Sequence, residues 1–229
     1  MSPLDRRYAY VYKPALFLAC LVPLAWAVAG VLGAAGVLQL PLPRLGVDPV
    51  RRVLGIFGKT TLNLLGLTLA VTPLRVLTGN ANLLRLRRML GVYAFVYALL
   101  HFLVYVGPFQ GFSWAAIAKD LTRRPYIMVG FTALLMLTAL AMTSTNGMMR
   151  RLKRRWQQLH RLVYVAAACG VWHYWWQVKK DVREPLLYAA ALALLLGWRL
   201  WHRRQRLTSR SAPPTIPGRS AAGAPSPGS

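Results

Sequence analysis

Six apolar stretches, at about Ala15–Leu38, Val53–Val71, Met89–Val106, Tyr126–Met142, Leu159–Gln177 and Pro185–Trp201, occupy about half of this 229-residue chain. A bilayer offers no partner for backbone N–H and C=O groups, so a segment that crosses it must satisfy its own hydrogen bonds and becomes a helix. About 20 apolar residues are enough for one crossing. The expected fold class is therefore all-α, a polytopic membrane bundle of about six transmembrane helices. A β-barrel would show alternating segments of about 10 residues, and the sequence has none. The second stretch is the weakest of the six, because Lys59, Thr60, Thr61 and Asn63 interrupt it. The first runs too long for a cleaved signal core and is expected to be retained.

The formal charge of +24 would suit nucleic acid, but the basic residues lie between apolar runs and no nucleic-acid motif accompanies them. They fit membrane topology better. With the N-terminus inside, 18 Lys and Arg residues fall in inner loops and 9 in outer ones, and Asp48, Asp120, Asp181 and Glu184 all fall outside. The positive-inside rule then puts both termini in the cytoplasm. Trp156 opens the fifth stretch and Trp172, Trp175 and Trp176 close it, with Trp198 and Trp201 near the end of the sixth. These rings are expected to be interfacial anchors. Three units are expected: 1–52 with the first transmembrane helix, 53–206 as the main membrane domain, and 207–229 as a disordered cytoplasmic tail rich in Pro, Ser, Ala and Gly. Cys20 and Cys169 lie in apolar runs and read as packing residues.

Three histidines, His101, His160 and His173, sit inside or at the edge of the apolar stretches. Ionisable groups at membrane depth are costly and usually carry function, and imidazole is a common ligand of metals and haem iron. His101 is roughly 18 Å along the third helix at ~1.5 Å per residue, and His173 is near the outer end of the fifth. Their depths match, so the two imidazoles can hold one haem iron from both sides. His160 is about 20 Å of helix rise from His173, enough for a second haem, and a 13-residue spacing turns the two about 140° apart on an ideal helix. The matching position on the third helix carries Arg87 and Arg88 rather than histidine. His160 therefore has three open readings: a singly ligated second haem, a quinone head-group contact, or a haem-propionate contact. Lys59 and Arg161 are the two cations within the spans, and either pairs with a propionate or snorkels to the interface. His202, at the basic end of the last helix, is expected to be solvated and without a role. No CxxCH or CxxC pattern occurs, so covalent haem attachment, zinc and iron–sulfur sites are not expected.

The blocks TPLRVLTG (Thr72–Gly79), LRRMLGVYAFVYALLHFLVY (Leu86–Tyr105), RRPYIMVGF (Arg123–Phe131) and LAMTSTNGMMRRLKRRWQQLHRLVY (Leu140–Tyr164), followed by His173, closely resemble the MsrQ (formerly YedZ) family. That family falls among ferric-reductase-like transmembrane proteins, and the resemblance covers about Val53 to Trp201. It implies b-type haem, one or two per chain, with His101, His160 and His173 as the matching haem residues. It also implies FMN, a bacterial inner-membrane location, and electron transfer from the quinone pool to a periplasmic molybdopterin-containing methionine sulfoxide reductase that repairs oxidised periplasmic proteins. No FMN motif is present; the basic loops around Arg75 and Arg150–Arg155 are the candidate phosphate contacts.

The leading expectation is an electron-transfer subunit with no catalytic residues of its own, embedded in lipid and not bound to nucleic acid. One alternative is a ferric-chelate or flavin-linked transmembrane reductase subunit, which would need a separate FAD/NAD(P)H partner. Another is a transporter without a cofactor, which the lack of carboxylates inside the spans argues against.

Overall fold

The computed structural model describes residues 8–37, 45–178 and 181–211, with side chains for 10–37, 45–178 and 181–205. Arg6, Arg7, Arg44, Lys179, Lys180 and the tail beyond Ser211 lie outside the described residues. The described chain is helical throughout, with no strand: α1 (Lys13–Ala34), α2 (Pro49–Thr78), α3 (Leu83–Val104), α4 (Trp114–Arg123), α5 (Pro125–Met142), α6 (Asn146–Leu152), α7 (Arg154–Leu159), α8 (Leu162–Gln177) and α9 (Arg183–Ser211). Single π-helical turns precede α1 and extend α3 to Phe109. Helix α9 thus continues five residues past the expected start of the tail.

The second apolar stretch, the weakest by sequence, forms the longest and most enclosed helix. Asp48 caps the N-terminus of α2 by accepting from Arg51 N at 2.9 Å, Pro49 opens it, and Gly79 closes it at φ 68°. Pro fits the first helical turn because its missing N–H would be unpaired there, and Gly takes the left-handed closing position without strain. Of the polar residues that broke the hydropathy, Thr61 is absorbed locally, donating to Phe57 O at 2.9 Å as Thr68 further along donates to Leu64 O at 2.7 Å, while Lys59 and Asn63 bond across to α9. Half of the apolar core of α2 is buried, against much smaller fractions for the other long helices. Its closest neighbour is α3; α5 packs along α8, and α9 lies against α8 and α2.

Four helical segments are long and apolar enough to cross a bilayer: Tyr10–Ala34, Pro49–Thr78, Leu83–Phe109 and Pro125–Met142. Six were expected. The fifth candidate begins three residues later than its apolar run, because His160 and Arg161 form a turn between α7 and α8, which leaves α8 only 16 residues. In the sixth, the apolar part of α9 ends at Arg199, Arg203 and Arg204. Both still pack as bundle helices, and the whole is an all-α polytopic membrane bundle. Its two ends differ in charge. One, the acidic end, carries Asp48, Asp120, Asp181 and Glu184; the other, the basic end, carries the α2–α3 turn, the α5–α8 connection and the close of α9.

A side chain repairs the one break in α1. Pro23 has no N–H to donate to the preceding turn. Beside it, the buried Tyr97 hydroxyl of α3 donates to Cys20 O at 2.5 Å and accepts from Leu24 N at 3.2 Å. One phenol thereby replaces a backbone bond and pins α1 to α3. Removing it strands two backbone groups where water is scarce. Tyr97→Phe is expected to destabilise the protein by about 1 kcal/mol, read as a lower midpoint of thermal unfolding in detergent, with the helical content unchanged.

Candidate functional site

His101 projects from the last turn of α3 and His173 from the second half of α8, and their ring centres lie 6.2 Å apart with planes at 90°. Each ring is fixed from behind in the same way. His101 Nδ1 donates to Leu54 O of α2 at 2.9 Å, and His173 Nδ1 donates to Tyr126 O of α5 at 2.7 Å. An imidazole that gives its Nδ1 proton to a carbonyl is set in the tautomer whose Nε2 carries the lone pair. Neither Nε2 has a protein partner among the described residues, and neither is sealed in as an unpaired buried atom.

Two glycines make room for the rings. A Cβ on Gly58 of α2 would stand 3.1 Å from His101 Nδ1, and one on Gly130 of α5 would stand 2.7 Å from His173 Nδ1. Any larger residue at Gly130 would collide with the imidazole. Neither glycine drew notice in the sequence, since each faces a histidine more than forty residues away. Tyr126 also lies against His173, with ring centres 5.6 Å apart.

His160 is elsewhere. It occupies the turn before α8 at the basic end, where its Nδ1 donates to Trp156 O at 3.1 Å and its Nε2 is 3.4 Å from Ser144 Oγ. Because α7 and α8 are separate helices, the 140° offset of a single rod does not apply to His160 and His173. Trp156 is not a bare interfacial anchor: its ring stacks on His160 with centres 3.9 Å apart, and its Nε1 donates to Thr143 O at 3.0 Å. His202 stacks on Trp198 at 5.1 Å and is not the isolated solvated side chain expected. Arg161 is exposed at the start of α8, beside His160 in sequence and remote from the paired rings.

Lys59 does reach the acidic end, one residue from Gly58, but its partner is a carboxylate. Lys59 Nζ forms an ion pair with Glu184 of α9 at 2.5 Å, and Tyr174 of α8 donates to the same carboxylate. Tyr188 donates to Asn63 Oδ1 at 2.9 Å nearby, so three helices meet in one polar clasp. Sequence order gave no sign of this pairing across 125 residues.

With this geometry in view, comparison with known proteins is decisive. The sequence model of a family described as the ferric reductase like transmembrane component matches residues 50–171. A protein of Xanthomonas campestris pv. campestris (strain 8004), named protein-methionine-sulfoxide reductase heme-binding subunit MsrQ, is 55% identical over 174 residues, which covers 74% of this chain and 79% of that protein. The chain belongs to the MsrQ family. MsrQ proteins of Xanthomonas axonopodis pv. citri (strain 306) and Ralstonia nicotianae (strain ATCC BAA-1114 / GMI1000) are each 52% identical, over 74% and 69% of this chain and 79% and 74% of their own lengths.

In this MsrQ member the clasp has a pH signature. Lys59 and then Tyr174, bonded to Glu184, hold its carboxyl below the ordinary carboxylate range. A carboxyl depressed in the folded state stabilises it above the unfolded pKa, and the contribution is lost as pH falls through the folded value. Glu184 is solvent-exposed, so the effect is small. The unfolding midpoint of Glu184→Gln should match the native protein at the acid limit and fall slightly behind it above pH 5, as followed by thermal melts across that range.

Proposed function

We propose that this chain is a membrane b-type cytochrome, the electron-carrying subunit of a methionine sulfoxide reductase system. The observation that carries the reading is the pair of imidazoles 6.2 Å apart, each anchored through Nδ1. A metal bound to both Nε2 atoms at ~2.0–2.1 Å, with about 1.2 Å from nitrogen to ring centre, requires ring centres a little over 6 Å apart. Among the described residues no group of three or more His, Cys, Asp or Glu side chains gathers that could hold a bare ion. Two neighbouring imidazoles, with no third such side chain gathered beside them among the described residues, would suit an iron whose other ligands come from a macrocycle. The residues fit haem, and the relatives' names say heme-binding.

Haem bound there supplies a one-electron couple whose potential depends on its axial ligands and burial. The chain's own residues do the rest. Leu54 and Tyr126 carbonyls orient the ligands and raise their basicity, Gly58 and Gly130 give them space, and the apolar bundle keeps water away. Lys59 stays a candidate propionate contact through the hydrogens its pairing with Glu184 leaves open. Arg161 and His160 belong to a second cofactor site at the other end, where His160 would be the protein ligand of a second haem, completed by another group, or a quinone contact.

The positive-inside bias orients the basic end toward the cytoplasm, which sets His101 and His173 toward the periplasm of a bacterial inner membrane. In that arrangement electrons from the quinone pool leave at the periplasmic face for a molybdopterin-containing methionine sulfoxide reductase. The domain of 53–206 carries this role. FMN rests on the family resemblance alone: the basic hollow lined by Arg151, Leu152, Lys153, Arg154 and Arg155 offers phosphate contacts but no aromatic surface for the ring system, so no step is assigned to it.

Purified protein made with ample haem should give a reduced-minus-oxidised b-type spectrum. His101→Ala or His173→Ala should abolish the periplasmic component. Gly130→Ala, by displacing His173 from the Tyr126 carbonyl, should weaken haem retention about 10- to 100-fold, and Gly58→Ala less, in haem-to-protein ratios. Full haem content in both histidine variants would refute the ligand pair. A haem-free native protein would favour a transporter instead.

A further inference from the structure

At the acidic end three exposed cations have carboxylate partners: Arg51 with Asp48, Lys59 with Glu184, Arg124 with Asp120. The basic end is built differently. Arg199 of α9 is half-buried and turned into the bundle, where its Nη2 donates to Thr72 Oγ1 of α2 at 2.6 Å and its guanidinium lies 5.0 Å over the Tyr164 ring of α8. A guanidinium has five N–H donors, and one of them has a protein acceptor among the described residues. Arg87 of α3, also half-buried, lies in the first turns of its helix just past the α2–α3 turn, at the same end of the bundle as Arg199. No carboxylate of the described residues lies at this end.

Two half-buried guanidiniums at the same edge of a low-dielectric region repel, and each loses hydration. Snorkelling would relieve this by carrying the heads outward, but Thr72 and Tyr164 hold Arg199 inward. We propose that Arg199, with Arg87, forms an anion-binding site for one carboxylate or phosphate group held at membrane depth between α2, α3, α8 and α9. Guanidinium is the side chain best suited to either group, because its planar fork takes two oxygens at once. Such an anion has two sources: the propionate of a haem held at His160, which rests on the function proposed above, or the headgroup of an anionic phospholipid, which does not.

The test uses the full purified chain in nanodiscs of phosphatidylcholine with or without phosphatidylglycerol, comparing the native protein with Arg199→Gln, Arg199→Lys and Thr72→Val. One arm measures retained phosphatidylglycerol by native mass spectrometry. The other measures the midpoint potential of the haem component that His160→Ala removes. A charge-assisted hydrogen bond is worth about 1.5–3 kcal/mol, or about tenfold or more in affinity. If the anion is a lipid, Arg199→Gln retains phosphatidylglycerol about tenfold more weakly. If it is a propionate, Arg199→Gln lowers the potential of the His160-dependent component and leaves the His101/His173 component in place. In either case Arg199→Lys, and Thr72→Val, which loosens the hold on Arg199 but keeps its charge, fall between the native protein and Arg199→Gln. No change for Arg199→Gln in both arms overturns the site. Protein found to lack haem removes the haem reading, and the lipid arm alone then decides.

Discussion

Two hydrogen bonds, from His101 to the Leu54 carbonyl and from His173 to the Tyr126 carbonyl, are the constraint on which the arrangement depends. In a bilayer a backbone carbonyl already serves its own helix, so an imidazole must come close and at the right angle to share it. That approach is possible because Gly58 and Gly130 present no Cβ. The four helices that meet there, α2, α3, α5 and α8, are also those with the most extensive mutual packing. The bundle core and the histidine pair are one structure: the helix contacts that stabilise the fold also set the rings' separation.

Much of this was legible in the sequence, and the misses have physical reasons. The shared depth of His101 and His173 follows from helix rise, which is local and needs no tertiary knowledge. The glycines behind them do not, since Gly130 looks like any small residue in a membrane helix until His173 is placed against it. Helix α2 looks weak by hydropathy because Lys59, Thr60, Thr61 and Asn63 count as polar, whereas Thr61 returns its hydroxyl to the carbonyl one turn back and Lys59 and Asn63 find partners on α9. For Lys59 the sequence offers a propionate contact or snorkelling and does not point to Glu184, because pairing across 125 residues leaves no periodic trace. Trp156 passed for an interfacial ring, a common role for tryptophan at a helix end, until His160 was found stacked on it.

The two ends of the bundle treat charge in opposite ways. At the acidic end Arg51, Lys59 and Arg124 pair with carboxylates of the chain, and the Lys59–Glu184 pair helps to clasp α2, α8 and α9. Among the described residues the basic end holds no carboxylate, and Arg199 is met there by a hydroxyl and an aromatic ring instead. This division runs along the same axis as the loop-charge bias read from the sequence.

The turn at His160–Arg161 has a mechanical consequence. A single rod from Trp156 to Gln177 would transmit any roll of one end to the other, locking two remote imidazoles into one angular setting. Because α7 ends at Leu159 and α8 begins at Leu162, His160 and His173 are not held in the fixed angular relation of one regular helix.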